Sequence, residues 1–449
     1  MQTALIILAA GKGTRMQSDL PKVLHPIAGT PMLHHVLATG AALDPTHSVV
    51  ITGHEADQVE AELASWDETI LCARQVEQLG TGHAVAQARD ALQGFDGLAL
   101  VLFGDTPFIS QHTLQAMTKA AQIHDVVMLG FEPDNPGRYG RMVMKGDSLE
   151  RIVEFKDASD EEKRITLCNG GVTACKAQLL FDLIDATNND NASGDYYLTD
   201  IVAEARARGL SATAVTCAEA ETIGINTRAQ LAQADGYFQN TARVAALDNG
   251  VTLMAPETVY FAQDTIIGRD TVIEPNVVFG PGVTIESGAH IRAFSHLEGC
   301  HVSRGAIVGP YARLRPGAEL AEDVRVGNFV EIKQAEIAQG AKVNHLSYVG
   351  DAAVGSRANI GAGTITCNYD GVMKHHTNIG ADAFIGSNTM LVAPVSVGNG
   401  ALTGSGSVIT EDVPDDAVAI ARAPQKNRPG MAAKLFSKLR AQKAQKDKG

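Results

Sequence analysis

From Ile267 an aliphatic residue or Phe stands at every sixth position, through Ile273, Phe279, Ile285, Ile291 and Leu297. In a chain that is 45% apolar, such a run arises by chance about once in a hundred. After a shift the repeat resumes at Val308, Leu314, Leu320, Val326 and Ile332, and later at Ile379, Ile385, Leu391, Val397 and Ile409, often with Gly following. A six-residue unit cannot bury its apolar side chain alone, so successive units must stack. The period therefore predicts a parallel β-helix in which each hexad builds one of three walls and its aliphatic residue fills a narrow core. The hand of the coil does not follow from the period, because the general crossover rule favours right-handed connections. Between Ile360 and Ile379 the repeat gives way to Gly361-Ala362-Gly363-Thr364-Ile365-Thr366-Cys367-Asn368-Tyr369-Asp370-Gly371, an insertion expected to leave the prism as a loop. Loops held by a rigid scaffold tend to carry function.

The first half has a different rhythm. Apolar runs at Ala4–Ala9, Ser48–Thr52, Leu98–Phe103 and Val126–Gly130 alternate with segments of helical period at Met32–Thr39, Glu55–Leu63 and His83–Leu92. This is βαβ logic, predicting a mostly parallel sheet with helices on both faces and ligands at the carboxyl ends of the strands. A connecting helix from about Arg228 to Leu247 stops at Asn249-Gly250. A chain of 449 residues is long enough for two cores. The expected division is an α/β domain at 1–227, a helical linker at 228–250, and an all-β domain at 251–449 that ends in a basic tail, Lys434 to Lys448.

Composition narrows the classes. A net charge of −14 argues against general nucleic-acid binding, so anionic substrates must be held by local cations. No apolar run is long enough to span a membrane, and no partner membrane is expected. The start, Met1-Gln2-Thr3, leads into a strand without a basic leader, which points to the cytoplasm. Six scattered cysteines without CxxC spacing read as reduced thiols, not zinc ligands.

The chemistry begins at Leu8-Ala9-Ala10-Gly11-Lys12-Gly13-Thr14-Arg15-Met16, followed by Pro21-Lys22. Glycines where a buried strand ends let backbone N–H groups approach phosphate oxygens, and Arg15 and Lys22 supply neutralising charge. The spacing is neither a Walker A loop, which needs Ser or Thr after Gly-Lys, nor a dinucleotide fingerprint, which needs a third Gly where Met16 stands. Asp105 follows the buried run Leu98–Gly104, placing a hard oxygen ligand suited to Mg²⁺ at a strand's carboxyl end. An Asp turn before Thr106-Pro107 would use the same residue.

The Leu-x-x-Gly-x-Gly-Thr-Arg-Met…Pro-Lys pattern resembles the signature of nucleotide-sugar pyrophosphorylases, and the hexads resemble left-handed β-helix acyltransferases. Together, with the inserted loop, they resemble the bifunctional bacterial N-acetylglucosamine-1-phosphate uridyltransferase and glucosamine-1-phosphate acetyltransferase family over nearly the whole chain. The resemblance implies a Rossmann-like nucleotidyltransferase domain joined to a left-handed parallel β-helix. It implies acetylation of glucosamine 1-phosphate by acetyl-CoA, followed by UMP transfer from UTP to N-acetylglucosamine 1-phosphate. The product, UDP-N-acetylglucosamine, serves peptidoglycan and lipopolysaccharide synthesis. For the first site it assigns Leu8, Ala9, Ala10, Gly11, Lys22, Phe103 and Gly104 to the nucleotide and Gln75, Gly80 and Thr81 to its uracil. Gly140, Glu154 and Asn169 fall to the sugar, and Asn226 joins Asp105 on Mg²⁺; of the two cations in the loop, Arg15 is the candidate for stabilising charge at the reacting phosphorus. The family commonly has Tyr where this chain has Phe103, so a hydroxyl is lost there.

For the second site the resemblance selects His345 as the base that takes the amine's proton, among competing histidines 290, 296, 301, 375 and 376. It gives Arg315 and Lys333 to the sugar phosphate, with Tyr348 and Asn359 beside the sugar and Glu331 as a candidate orienting group for the histidine. Acetyl-CoA falls to Ala362, Asn368, Tyr369, Ser387, Ser405 and Arg422, with a backbone N–H of the Gly361-Ala362-Gly363 turn as oxyanion donor. Ser405 stands where the family often has Ala. A homotrimer is implied. Two other readings of the domain pair stay open from sequence: a pyrophosphorylase with a structural or regulatory β-helix, and a non-catalytic regulatory subunit.

Overall fold

The computed structural model describes residues 2–447. The chain divides into two compact units, Met1–Val244 with Phe261–Gln263, and Ala245–Tyr260 with Asp264–Gly449.

The first unit is built on one sheet whose strands run, from edge to edge, Ala212–Cys217, Val126–Phe131, Cys168–Lys176, Leu98–Phe103, Thr3–Leu8, His47–Thr52 and Leu71–Arg74. Only Cys168–Lys176 runs antiparallel to its neighbours in this path. The central strands read as unbroken apolar runs because both faces are covered. Ile6, Val101 and Met128 pack with Leu180 and Phe181 on one face. Ile7, Leu100 and Val127 pack with Leu33 and Met117 on the other. Leu8 and Phe103 are Cα partners, so the segments that follow them leave the sheet side by side. The expected helix His83–Leu92 is shorter than its apolar period implied. An α-helix covers Thr81–Ala86, after which the chain tightens into turns, with the Leu92 N–H shared between the carbonyls of Ala88 and Arg89.

In the second unit most hexad residues close a very short strand: Val272–Ile273, Val278–Phe279 and Thr284–Ile285 give three successive walls. Ile273 pairs with Ile291, one coil of eighteen residues later. The shift after Leu297 is a five-residue step to Val302, so Ile285 meets Val302. One wall is a ten-stranded parallel ladder from Thr252–Leu253 to Val418–Ala419. The other two join where the longer strands Glu331–Ile337 and Tyr348–Val354 bend across a corner.

The insertion is smaller than the sequence suggested. Ile365–Cys367 remains a wall strand, with Ile365 paired to Tyr348 on one side and Met390 on the other, and only the stretch around Asn368–His376 leaves the prism. The apolar pattern lapsed because Thr366 occupies the core position. Its Oγ1 accepts from Gly350 N at 2.8 Å and donates to Gly350 O at 3.0 Å, which makes a buried hydroxyl tolerable.

Candidate active sites

The sheet's geometry brings the first site together. Beyond Leu8, Ala9 and Ala10 are buried while Gly11 faces open space, where a Cβ would touch nothing within 4 Å. The chain turns at Gly13, φ +57°, and a Cβ there would lie 2.7 Å from that of Lys22. Glycine at this turn is what admits Lys22 beside the loop. The Lys22 ammonium, largely buried, donates to Asp105 Oδ2 and to Asn226 Oδ1 at 3.2 Å. Arg15 Nη2 donates to the same Asn226 oxygen at 2.9 Å. Two oxygens distant in sequence thus converge on one cation, in surroundings where reduced hydration strengthens charge interactions.

Two cavities open around this cluster. One, of about 350 Å³, is lined by Leu8, Ala9, Ala10, Gly11, Lys22 and Asp105, with Gln75, Gly80 and Thr81 across from them. Buried Gln75 donates Nε2 to Gly80 O at 3.0 Å, and Thr81 Oγ1 accepts from Leu198 N at 3.0 Å. The other, of about 430 Å³, is lined by Arg15, Asn226 and Asn169 with Arg138 and Tyr139. Phe103 lines both. Gly104 reaches neither: it is buried, its N–H bonded to Leu8 O at 2.9 Å, and it serves to bring Asp105 close to the loop. Gly140 and Glu154 touch, a Cβ on the glycine falling 3.3 Å from Glu154 Oε1, and Gly140 O accepts from Asn169 N at 2.9 Å. Burial raises the Glu154 carboxyl above its ordinary range, with Asp200 and Asp157 adding to the rise. Burial likewise pushes Asp200 up to about 6.

The second site follows one corner of the prism. His345 is the Cα partner of Asn328, and its Nδ1 lies 3.0 Å from Asn328 Oδ1. One coil on, Gly363 N donates to His345 O; then Asn388 N donates to Ala362 O at 2.7 Å, Gly406 N to Ser387 O at 2.8 Å, and Arg422 Nη1 to Ser405 O at 2.7 Å. His345, Ala362, Ser387, Ser405 and Arg422 therefore mark successive coils along one edge, spanning about 19 Å at about 4.8 Å per coil. In the turn at Gly361, the N–H groups of Gly361 and Gly363 are taken by Ile385 O and His345 O. The Ala362 N–H makes no backbone bond among the described residues.

Glu331 does not orient His345. It accepts from Arg315 Nη1 at 2.8 Å, and the histidine's partner is Asn328. Lys333 lies close enough to Lys374, from the inserted loop, and to Arg315 that these cations depress its ammonium pKa, the Lys374 contact foremost. Asn368 donates Nδ2 to Asp351 and, at 3.4 Å, to Tyr348 Oη. Tyr369 is exposed, its hydroxyl on Gly371 O at 2.6 Å. Asn359 lies on the wall that carries His345, in register with Lys342 and Phe384.

Three contributors escaped the sequence reading. Asn328 was findable, standing one coil of seventeen residues before His345. Lys374 lies in the insertion, where no period locates it. Arg141 is 2% exposed, and its guanidinium faces carbonyls instead of carboxylates: Pro136 O at 3.2 Å, Gly137 O at 3.0 Å, Tyr139 O and Lys163 O at 3.4 Å. It ties down the turn that presents Arg138, Tyr139 and Gly140.

Both halves of the chain resemble known proteins. Residues 5–165 match the MobA-like NTP transferase domain, and 264–299 and 376–411 match the bacterial transferase hexapeptide (six repeats). A "Bifunctional protein GlmU" of Ruegeria sp. (strain TM1040) is 68% identical over 449 residues, covering 100% of both chains. Another of that name, from Jannaschia sp. (strain CCS1), is 64% identical over 99% of this chain and 98% of its own. A solved UDP-glucose pyrophosphorylase complexed with UDP-glucose aligns with 54% of this chain and 100% of its own, at TM-score 0.44 and 18% identity. Both halves match within single relatives along their full length, and the chain belongs to the family of bifunctional GlmU proteins.

Proposed function

We propose that the two sites carry out consecutive steps. The corner site acetylates glucosamine 1-phosphate from acetyl-CoA, and the sheet site joins the resulting N-acetylglucosamine 1-phosphate to UTP, releasing pyrophosphate. The chain is a bifunctional transferase, with nucleotidyltransferase and acyltransferase activities. We assign uridyl transfer to 1–227, the connection to 228–250 and acetyl transfer to 251–449.

In uridyl transfer a sugar-phosphate oxygen attacks the α-phosphorus of UTP and pyrophosphate leaves. With a second pKa near 6, the attacking monoester is already ionised at neutral pH, so no general base is required. What is required is alignment and cancellation of charge between two anions. Gly11 offers open backbone to the phosphates, Lys22 and Arg15 offer cations, and Gln75 with Gly80-Thr81 faces the base. Glu154, Asn169 and Gly140 receive the sugar. Asp105 and Asn226 would hold Mg²⁺: their oxygens already converge on one ammonium, and a site with few protein ligands suits that ion. When bound, the ion neutralises charge on the phosphate oxygens.

In acetyl transfer the amine of glucosamine 1-phosphate attacks the thioester carbonyl, the C–N bond forms, and CoA leaves as thiol. His345 takes the amine's proton, its ring held through Nδ1 against the side-chain amide of Asn328. The Ala362 N–H donates to the oxyanion. Arg315, Lys333 and Lys374 receive the phosphate, Tyr348 and Asn359 lie beside the sugar, and the edge from Ala362 through Ser387 and Ser405 to Arg422 takes the CoA arm, with Asn368 and Tyr369 shaping the site. A homotrimer would set these prism edges against one another, and a cytoplasmic setting supplies both co-substrates.

The observation that carries this reading is that a cation-lined phosphate cleft and a histidine at the foot of a stepped corner occur in one chain. The test is direct. With Mg²⁺, the purified chain releases pyrophosphate from UTP plus N-acetylglucosamine 1-phosphate and frees CoA thiol from acetyl-CoA plus glucosamine 1-phosphate. A chain that frees no thiol has a merely structural prism.

A further inference from the structure

The cavity of about 430 Å³ in the first unit is lined by two guanidinium groups, Arg15 and Arg138, and by no carboxylate among the described residues. Arg15 is already committed, donating to Asn226 Oδ1 at 2.9 Å. Arg138 is not. Its side chain is exposed, and among the described residues it makes no hydrogen bond, ion pair or ring contact.

The turn that carries Arg138 is nevertheless held from several sides. Gly137, at φ +45°, adopts a left-handed conformation that favours glycine. Its N–H donates to Asn135 Oδ1 at 3.1 Å, and the Tyr139 N–H donates to Pro136 O at 3.2 Å. The buried Arg141 donates to Pro136 O and Gly137 O, and the Tyr139 ring meets Phe131 edge-on with centroids 4.9 Å apart. The backbone beside the cavity is thus fixed before any ligand arrives, so binding has only one side chain to order.

An arginine without a counter-ion, beside a cavity without acids in a chain of net charge −14, attracts an anion. The planar guanidinium fork matches two oxygens of a phosphate group. Two phosphate sources meet in this unit. The nucleotide's phosphates belong to the neighbouring cavity, lined by Gly11 and Lys22, and Arg138 does not line that one. Asn169 and Asn226 both line the cavity of Arg138, so it adjoins the sugar-binding residues and the metal-holding residues together. We infer that Arg138 binds the phosphate of the sugar 1-phosphate, holding the attacking dianion against repulsion from the nucleotide. The inference rests on the proposed uridyl transfer and adds to it a cation for the second substrate.

The test compares the full-length parent with Arg138→Ala and Arg138→Lys, following pyrophosphate release with Mg²⁺ at low and high salt while each substrate is varied in turn. Arg138→Ala is expected to raise KM for N-acetylglucosamine 1-phosphate about tenfold, leaving KM for UTP and the melting midpoint unchanged. Arg138→Lys, which keeps the charge and loses the fork, should recover part of the loss. In the parent, KM for the sugar phosphate should climb more steeply with salt than in Arg138→Ala, because salt screens an exposed cation. A rise in KM for UTP in place of the sugar phosphate, or the same salt dependence in both proteins, overturns the inference. An active parent whose Arg138→Ala variant keeps its KM for the sugar phosphate overturns the inference alone, whereas a parent that releases no pyrophosphate from this substrate pair overturns the uridyl-transfer reading and the inference with it.

Discussion

Arg141 illustrates what single residues do in this molecule. Its guanidinium is buried among carbonyls that belong mainly to the turn Pro136–Tyr139, so removing it loosens that turn and takes away the donor to Gly137 O and Tyr139 O, while Pro136 O keeps the Tyr139 N–H. Arg141→Met is expected to raise KM for N-acetylglucosamine 1-phosphate about tenfold, with KM for UTP and acetyl transfer little changed. Initial-rate kinetics with each substrate varied would reveal this split, and Arg141→Lys, which keeps a donor, should recover part of it. Equal losses for both substrates would mean a general fault in the fold. Asp200 gives a pH prediction. Its carboxyl ionises near 3.8 when free and at about 6 in the fold, so the stability it contributes is whole below 3.8 and lost as pH rises through 6. Asp200→Asn should therefore be more stable than the parent at pH 7.5, by about 1 kcal/mol of unfolding free energy in chemical denaturation once partial solvent screening is allowed for, and no more stable at pH 4. Lys22, Arg15 and Asp105 could be picked out in the sequence because cations and a carboxylate stand where apolar runs stop. Arg141 could not, since a charge inside a short strand looks like a surface position until its carbonyl partners are seen.

Among elements, the hexads were the most legible, because a strict period forces stacking whatever fills the turns. The period failed where a hydrogen bond replaced apolar burial. Thr366 holds a core position through Gly350, and the sequence therefore seemed to lose a whole coil where only a short loop departs. Thr366→Val would leave the Gly350 N–H without its partner and should destabilise the second unit by about 1–3 kcal/mol despite the better apolar match. Chemical denaturation followed by far-UV circular dichroism measures this, and an unchanged or raised midpoint would contradict the role given to the hydroxyl. The helix after Gly80 was overestimated for the opposite reason: its apolar residues fit a helical period, but tight turns bury them equally well.

At the scale of the whole molecule, we propose that two chemistries share a chain without sharing residues. One site needs cations and no base, and the other needs a base beside a thioester arm. The division into an α/β half and a repeat half was legible because the apolar period changes from one to the other. The pairing of Asp105 with Asn226, and of His345 with Asn328, depended on contacts that only folding supplies. The most direct measurement assays both reactions on two full-length variants, Lys22→Ala and His345→Ala. Lys22→Ala should lose uridyl transfer by a hundredfold or more, on the order of 3 kcal/mol, and keep acetyl transfer, while His345→Ala should do the reverse. If either substitution abolishes both activities in a chain that remains folded, the account of two independent sites is contradicted.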